Sequence, residues 1–84
     1  MEFRIDMNID GNRTTVRVSG RMAGTTVDQV REVCDRIEGE TVLELTHLVS
    51  ADDDGIDLIR VLEEASVEVI GATPYIRYLL DAVK

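Results

Sequence analysis

The stretch Thr41 to Asp57, TVLELTHLVSADDDGID, joins an apolar run to three consecutive aspartates, a glycine and the start of an amphipathic segment. Val42, Leu43 and Leu45 crowd the run Thr41 to Thr46, which is too short for a helix and predicts a strand buried on both faces, as parallel strands are. Beyond the aspartates, Ile56, Leu58, Ile59, Val61, Leu62 and Ala65 recur at helical spacing, with Asp57, Arg60, Glu63 and Glu64 turned outward. Asp54 and Asp57 stand at the spacing of an N-cap and its N3 residue, so Asp54 is the expected cap. One carboxylate suffices for a cap, and crowding three costs repulsion, which leaves Asp52 and Asp53 as candidate functional acids. The unpaired amides of a helix N-terminus suit either carboxylates or phosphate.

Towards the N-terminus, Phe3, Ile5, Met7 and Ile9 alternate with Arg4, Asp6, Asn8 and Asp10, the pattern of a strand with one face on a core. Asp10-Gly11-Asn12 supplies a turn, and Thr14 to Ser19 a second strand that forms a hairpin with the first and ends at Gly20. Thr25 or Thr26 is positioned to cap a helix whose buried stripe is Val27, Val30, Val33, Cys34 and Ile37, closed by Gly39. Towards the C-terminus, Val67, Val69 and Ile70 form a short strand closed by Gly71. Thr73 and Pro74 then open a third helix buried along Ile76, Leu79, Leu80 and Val83. Tyr75 and Tyr78 flank that stripe and are expected to edge the core.

The order is β-β-α-β-α-β-α: an open α/β sheet of about four strands, the first hairpin antiparallel and the rest parallel, with three helices in a single domain, residues 1–84. Ligands and partners of such sheets gather beyond the carboxyl ends of the parallel strands, where Gly20 to Thr26, His47 to Gly55 and Gly71 to Pro74 should emerge.

Composition narrows the function. Seventeen acidic against nine basic residues give a net charge of −8, which repels nucleic acids and anionic membranes. One Phe, two Tyr and no Trp require an aliphatic core. Cys34 stands alone on an apolar stripe, a buried small hydrophobe in a reducing compartment. His47 has no second His or Cys nearby and reads as a strand-end residue rather than a metal ligand. No apolar run approaches the roughly 18 residues of a membrane span, and the N-terminus lacks the basic and apolar regions of a signal peptide, so a cytoplasmic location is expected.

Four segments, in order, resemble the STAS domains of anti-sigma factor antagonists, stressosome proteins and sulfate-transporter tails. Gly20-Arg21-Met22-Ala23 resembles a Gly-Glu-Leu-Asp turn, and Val42-Leu43-Glu44-Leu45-Thr46 a Val-Leu-Asp-Leu-Ser strand. Asp52-Asp53-Asp54-Gly55 resembles an Asp-Ser-Ser-Gly turn, and Ile70 to Leu79 a Val-Gly-x-x-Pro-x-Ile-x-x-Leu ending. The resemblance implies a non-catalytic regulatory module without cofactor or metal. On that resemblance it is expected to dock a protein partner, an anti-sigma factor of kinase type, through Arg21, Asp52, Asp53, Asp54, Gly55 and Asp57. In antagonists the first Ser of that turn is phosphorylated, and here its place is taken by Asp53. Asp carries about one negative charge against roughly 1.5 to 2 for phosphoserine. The domain is therefore either fixed in a phosphorylated-like state or a constitutive binder. Arg21 and Ala23 depart from the family by replacing acids.

One alternative is a STAS subunit of a membrane transporter ATPase for lipids or anions. Another is a magnesium-binding phosphoryl-transfer protein built on Asp52, Asp53 and Asp54. The chain has no Walker loop and no Ser or Cys paired with a base to support catalysis. A homodimer is compatible with either regulatory reading.

Overall fold

A computed structural model describes residues 3–82. The alternating N-terminal segment forms β1 (Arg4–Asp10), which turns at Gly11 and pairs antiparallel with β2 (Arg13–Met22) from Arg4 opposite Ser19 to Asp10 opposite Arg13. Helix α1 (Thr25–Asp35) carries the chain to β3 (Glu40–Glu44), which lies parallel to the first half of β2. After β3 comes β4 (Leu48–Ala51), then α2 (Asp53–Glu64), β5 (Glu68–Ile70) and α3 (Pro74–Ala82). β5 lies parallel to β3, giving the order β1-β2-β3-β5 with β4 attached to the second half of β2. Val83, assigned to the buried stripe of the last helix, lies outside the described residues.

The α/β class, the antiparallel hairpin and the parallel remainder match expectation, and among the described residues the sheet has five strands where about four were expected. The additional strand occupies part of the segment read as a loop from His47 to Gly55. β2 does not end at Gly20 but bends there, at φ 90°, and continues to Met22. A register shift between Gly20 and Arg21 marks the bend. Its second half needs a partner, and β4 supplies one: Gly20 faces Leu48, Arg21 faces Ser50 and Met22 faces Ala51. No helix intervenes between β3 and β4. A tight turn, closed by the Leu48 amide on the Leu45 carbonyl at 3.1 Å, lets both run along the same side of β2.

The helices pack into one core with one face of the sheet. Val16, Val18 and Met22 of β2, Leu43 and Leu45, Leu48, Val27 and Val30 of α1, Ile56, Leu58 and Ile59 of α2, and Ile76 and Leu80 of α3 form a single buried cluster. Val42 is buried but stands outside it. The face that Val42 shares carries ion pairs between strands: Arg17 meets Glu44 of the neighbouring β3 at 3.3 Å, and Arg13 reaches across β3 to Glu68 of β5 at 2.9 Å. The expected burial on both faces of the Thr41 to Thr46 strand therefore holds at Val42 and Leu43, while Thr41 and Glu44 are half-buried and Thr46 is exposed. Successive side chains of a strand point oppositely, and only the Leu43 side meets helices.

α2 and α3 are clasped together. Arg77 forks onto both carboxylate oxygens of Glu63 at 3.1 Å, and Arg60, beside Asp57, donates to the carbonyls of Leu79 and Leu80 that end α3. Arg60 and Glu63 were expected to face outward, and long polar side chains reach the neighbouring helix instead. Thr73 and Pro74 open α3 as predicted, the Thr73 hydroxyl accepting the Ile76 amide at 3.3 Å.

Candidate functional site

The carboxyl ends of β2 and β4 lie side by side, so the helices that follow them, α1 and α2, begin side by side as well. Asp52 stands at this junction. Its backbone amide donates to the Met22 carbonyl at 3.1 Å, which continues the β2 to β4 ladder into the turn. Its side chain caps α2: Oδ1 accepts the Gly55 amide at 2.8 Å. Oδ2 accepts the amide of Gly24, the residue preceding α1, at 3.2 Å. One carboxylate thus ties together the N-terminal turns of two helices. The Gly55 amide is the main reason its pKa lies below the ordinary carboxylate value; partial desolvation opposes this, and the Gly24 amide and nearby Arg21 reinforce it.

This geometry corrects two assignments. The α2 cap is Asp52, not Asp54; Asp53, Asp54 and Gly55 are the first three helical residues. The helix starts earlier than predicted because Gly55 must enter the junction: a Cβ there would lie 2.7 Å from the Met22 carbonyl oxygen. Nor does Thr25 or Thr26 cap α1. The Thr26 hydroxyl folds back to accept the Ala23 amide at 2.7 Å and donate to its carbonyl at 2.6 Å, while Gly24, at φ 58°, aims its amide at Asp52.

Asp53 and Asp54 sit in the first turn of α2, where the unpaired amides and the helix dipole favour negative charge, so the turn accommodates all three acids. Among the described residues neither has an ion pair, and both are exposed. They open in different directions. Asp54 lines an open groove of about 700 Å³ between α1 and α2, with Thr25, Asp28, Arg31, Asp57 and Val61. Asp53 lines a depression of about 390 Å³ whose other walls include Ala51, Ile56, Tyr75 and Leu79, and Asp57 borders both. Arg21 reaches the Ser50 hydroxyl at 3.3 Å on β4, close enough to Asp52 to lower its pKa. The predicted site residues Arg21, Asp52, Asp53, Asp54, Gly55 and Asp57 are therefore gathered at one end of the molecule.

Three residues outside the segments expected at this end, Asp28, Arg31 and Tyr75, border the site. Asp28 and Arg31, with Thr25 from the expected Gly20 to Thr26 segment, become the far wall of the groove because Asp52 holds α1 against α2. Tyr75 is 56% exposed and Tyr78 68%, so neither edges the core as expected. Tyr75 instead stands beside Asp53, one residue beyond the Gly71 to Pro74 loop already assigned to this end. Met22, by contrast, is fully buried. His47 is exposed in the turn after β3 and engages through its carbonyl, which accepts the Gly20 amide at 3.0 Å. Among the described residues no group of three His, Cys, Asp or Glu side chains converges as a metal would require, and the three aspartates diverge. No helix of the described residues is long and apolar enough to cross a membrane.

No protein-family model matches the chain, and no curated protein matches it in sequence. Solved structures do. The anti-sigma factor antagonist SpoIIAA in its unphosphorylated form superposes with a TM-score of 0.65 at 18% identity, over 98% of this chain and 84% of SpoIIAA. The phosphorylated form of SpoIIAA, a Bacillus cell fate determinant, gives 0.65 at 18% identity over 96% and 82%. A crystal structure of Mglu gives 0.63 at 22% identity over 76% of this chain, which spans 18% of that one. The chain thus has the fold of the anti-sigma factor antagonist SpoIIAA, the STAS-type fold that its sequence motifs resemble.

Proposed function

We propose that the chain is a non-catalytic, cytoplasmic regulatory module of the anti-sigma factor antagonist type, which docks a protein partner through the start of α2 and the loop before α1. The observation that carries this reading is the position of Asp53. It is an exposed carboxylate at the first position of α2, without an ion pair among the described residues, in a fold shared nearly end to end with SpoIIAA. A phosphoacceptor in such a turn acts by placing charge at a helix N-terminus on the docking surface, and Asp53 places charge there permanently. Asp54 extends the unpaired negative charge into the α1 and α2 groove, where Asp28 is paired with Arg31 at 2.9 Å and Asp57 with Arg60 at 3.0 Å, with Val61 and Leu58 as its apolar floor. A partner offering Arg or Lys around an apolar anchor complements that surface.

The test is affinity capture from the source cell with wild-type protein and with Asp53→Lys, followed by identification of the retained proteins. A kinase-like anti-sigma factor held by the wild type and lost from the variant is expected. Transporter ATPase subunits held through the same residues would replace this reading with that of a transporter-associated STAS subunit. Retention indifferent to Asp53 would remove the site.

A further inference from the structure

We propose that two copies of this chain pair through β1, antiparallel and edge to edge, about a two-fold axis at Met7, joining their sheets into one. β1 is outermost in the order β1-β2-β3-β5; the opposite edge, β5, has only three residues. β1 has seven, pairs with β2 without a register shift, and contains neither proline nor bulge. Soluble proteins ordinarily interrupt an edge of this length, because its free amides and carbonyls recruit another strand.

The side chains of this edge complement themselves in one register. With Met7 opposite Met7 of the second copy, all seven residues overlap. Ile5 faces Ile9 on the helix side of the sheet, and on the other side Arg4 faces Asp10 and Asp6 faces Asn8. A slip of one residue sets apolar side chains opposite polar ones. Centring the pair on Asp6 sets that carboxylate against itself, and centring it on Asn8 sets Asp6 against Asp10 twice. Two further features of the single chain fit an unfilled edge. Met7 is 49% and Ile9 69% exposed, since α1 lies over β2 rather than β1, and with Val33 and Ile37 they border an open groove of about 330 Å³. Among the described residues Asp10 has no ion pair, and Arg4 pairs with its neighbour Asp6. β1 contributes no residue to the Asp52 junction, so pairing leaves the α2 start free.

Sedimentation equilibrium over a concentration series, at about 0.15 M salt to screen the repulsion between two acidic chains, tests the proposal. Wild type is expected to dimerise. Arg4→Asp and Asp10→Arg, both at exposed positions, should each weaken the dimer about tenfold, because symmetry reverses two cross-strand pairs at once. The double variant Arg4→Asp/Asp10→Arg should restore it. A monomer throughout, single reversals without effect, or a double variant as weak as the singles would each overturn it. Met7→Cys in a Cys34→Ser background gives a second readout. Opposed residues of antiparallel strands lie within disulfide range, so oxidation should produce a covalent dimer, and its absence would count against the pairing.

Discussion

Asp52 accepts the amide of Gly24 through Oδ2 while Oδ1 caps α2, so one side chain couples the starts of two successive helices that are separated in sequence by two strands. The coupling follows from topology. β2 and β4 are parallel neighbours, their carboxyl ends coincide, and each is followed directly by a helix. Asp52→Ala should remove both bonds and lower Tm by about 5 °C. Asp52→Asn, which keeps an acceptor for Gly55 but donates where Gly24 needs an oxygen, should recover part of that loss. Thermal melts of the three proteins check the order.

The same carboxylate makes stability depend on acid. Its folded-state pKa lies below the ordinary value, so its contribution is fully present above the unfolded pKa near 4 and is lost as pH falls through the lower folded value. Urea titrations between pH 6 and pH 2 should show wild type losing stability more steeply than Asp52→Ala at the acid end. Parallel curves would mean that Asp52 contributes nothing to the pH dependence.

Gly55→Ala should cost about 1 to 3 kcal/mol, although alanine is the better helix former. The new Cβ meets backbone, the Met22 carbonyl 2.7 Å away, and backbone cannot rotate aside. The amide resonances of Met22, Asp52 and Gly24 should shift together. A variant as stable as wild type would show that the β2 and α2 junction is looser than described.

Adjacent residues of β3 should respond differently to the same polar substitution. Leu43 lies between Val16 and Val69 on the helix face, and Leu43→Thr should cost about 3 to 5 kcal/mol. Val42 is also buried, but it lies between Thr15 and Glu68 on the face that no helix covers, where a hydroxyl has polar neighbours, and Val42→Thr should cost less, about 1 to 2 kcal/mol. Chemical denaturation measures both, and equal losses would contradict the two-layer arrangement.

Cys34 is half-buried against the core, and burial first, then the neighbouring Asp35 charge, raises its thiol pKa. Iodoacetamide at pH 7.5 should therefore modify it slowly in the native protein and readily in urea. Rapid native alkylation would place α1 further from the sheet than the core packing requires.

Much of this was legible in the residues themselves. The alternation of Phe3 to Ile9, the stripes of the three helices and the Thr73-Pro74 start are local patterns, and the elements that they predict are present. The STAS-type motifs pointed to the fold that SpoIIAA shares. β4 was not legible. Leu48 to Ala51 is short, and its pairing depends on β2 bending at Gly20 instead of ending there. The Asp52 cap was missed for a related reason: two spacings were possible among three consecutive aspartates, and the close approach of Gly55 to Met22, distant in sequence, selected between them.

The sequence by itself determined the element types, their order and the concentration of acids at the start of α2, because periodicity and capping chemistry act over a few residues. Only the tertiary structure decided which aspartate caps and that Tyr75 stands beside Asp53. It also decided that one face of the sheet stays open and that β1 is a bare edge. Each of these depends on which strands become neighbours, and the free energy that selects neighbours is the burial of Val16, Leu43, Ile59 and Ile76 in one shared core.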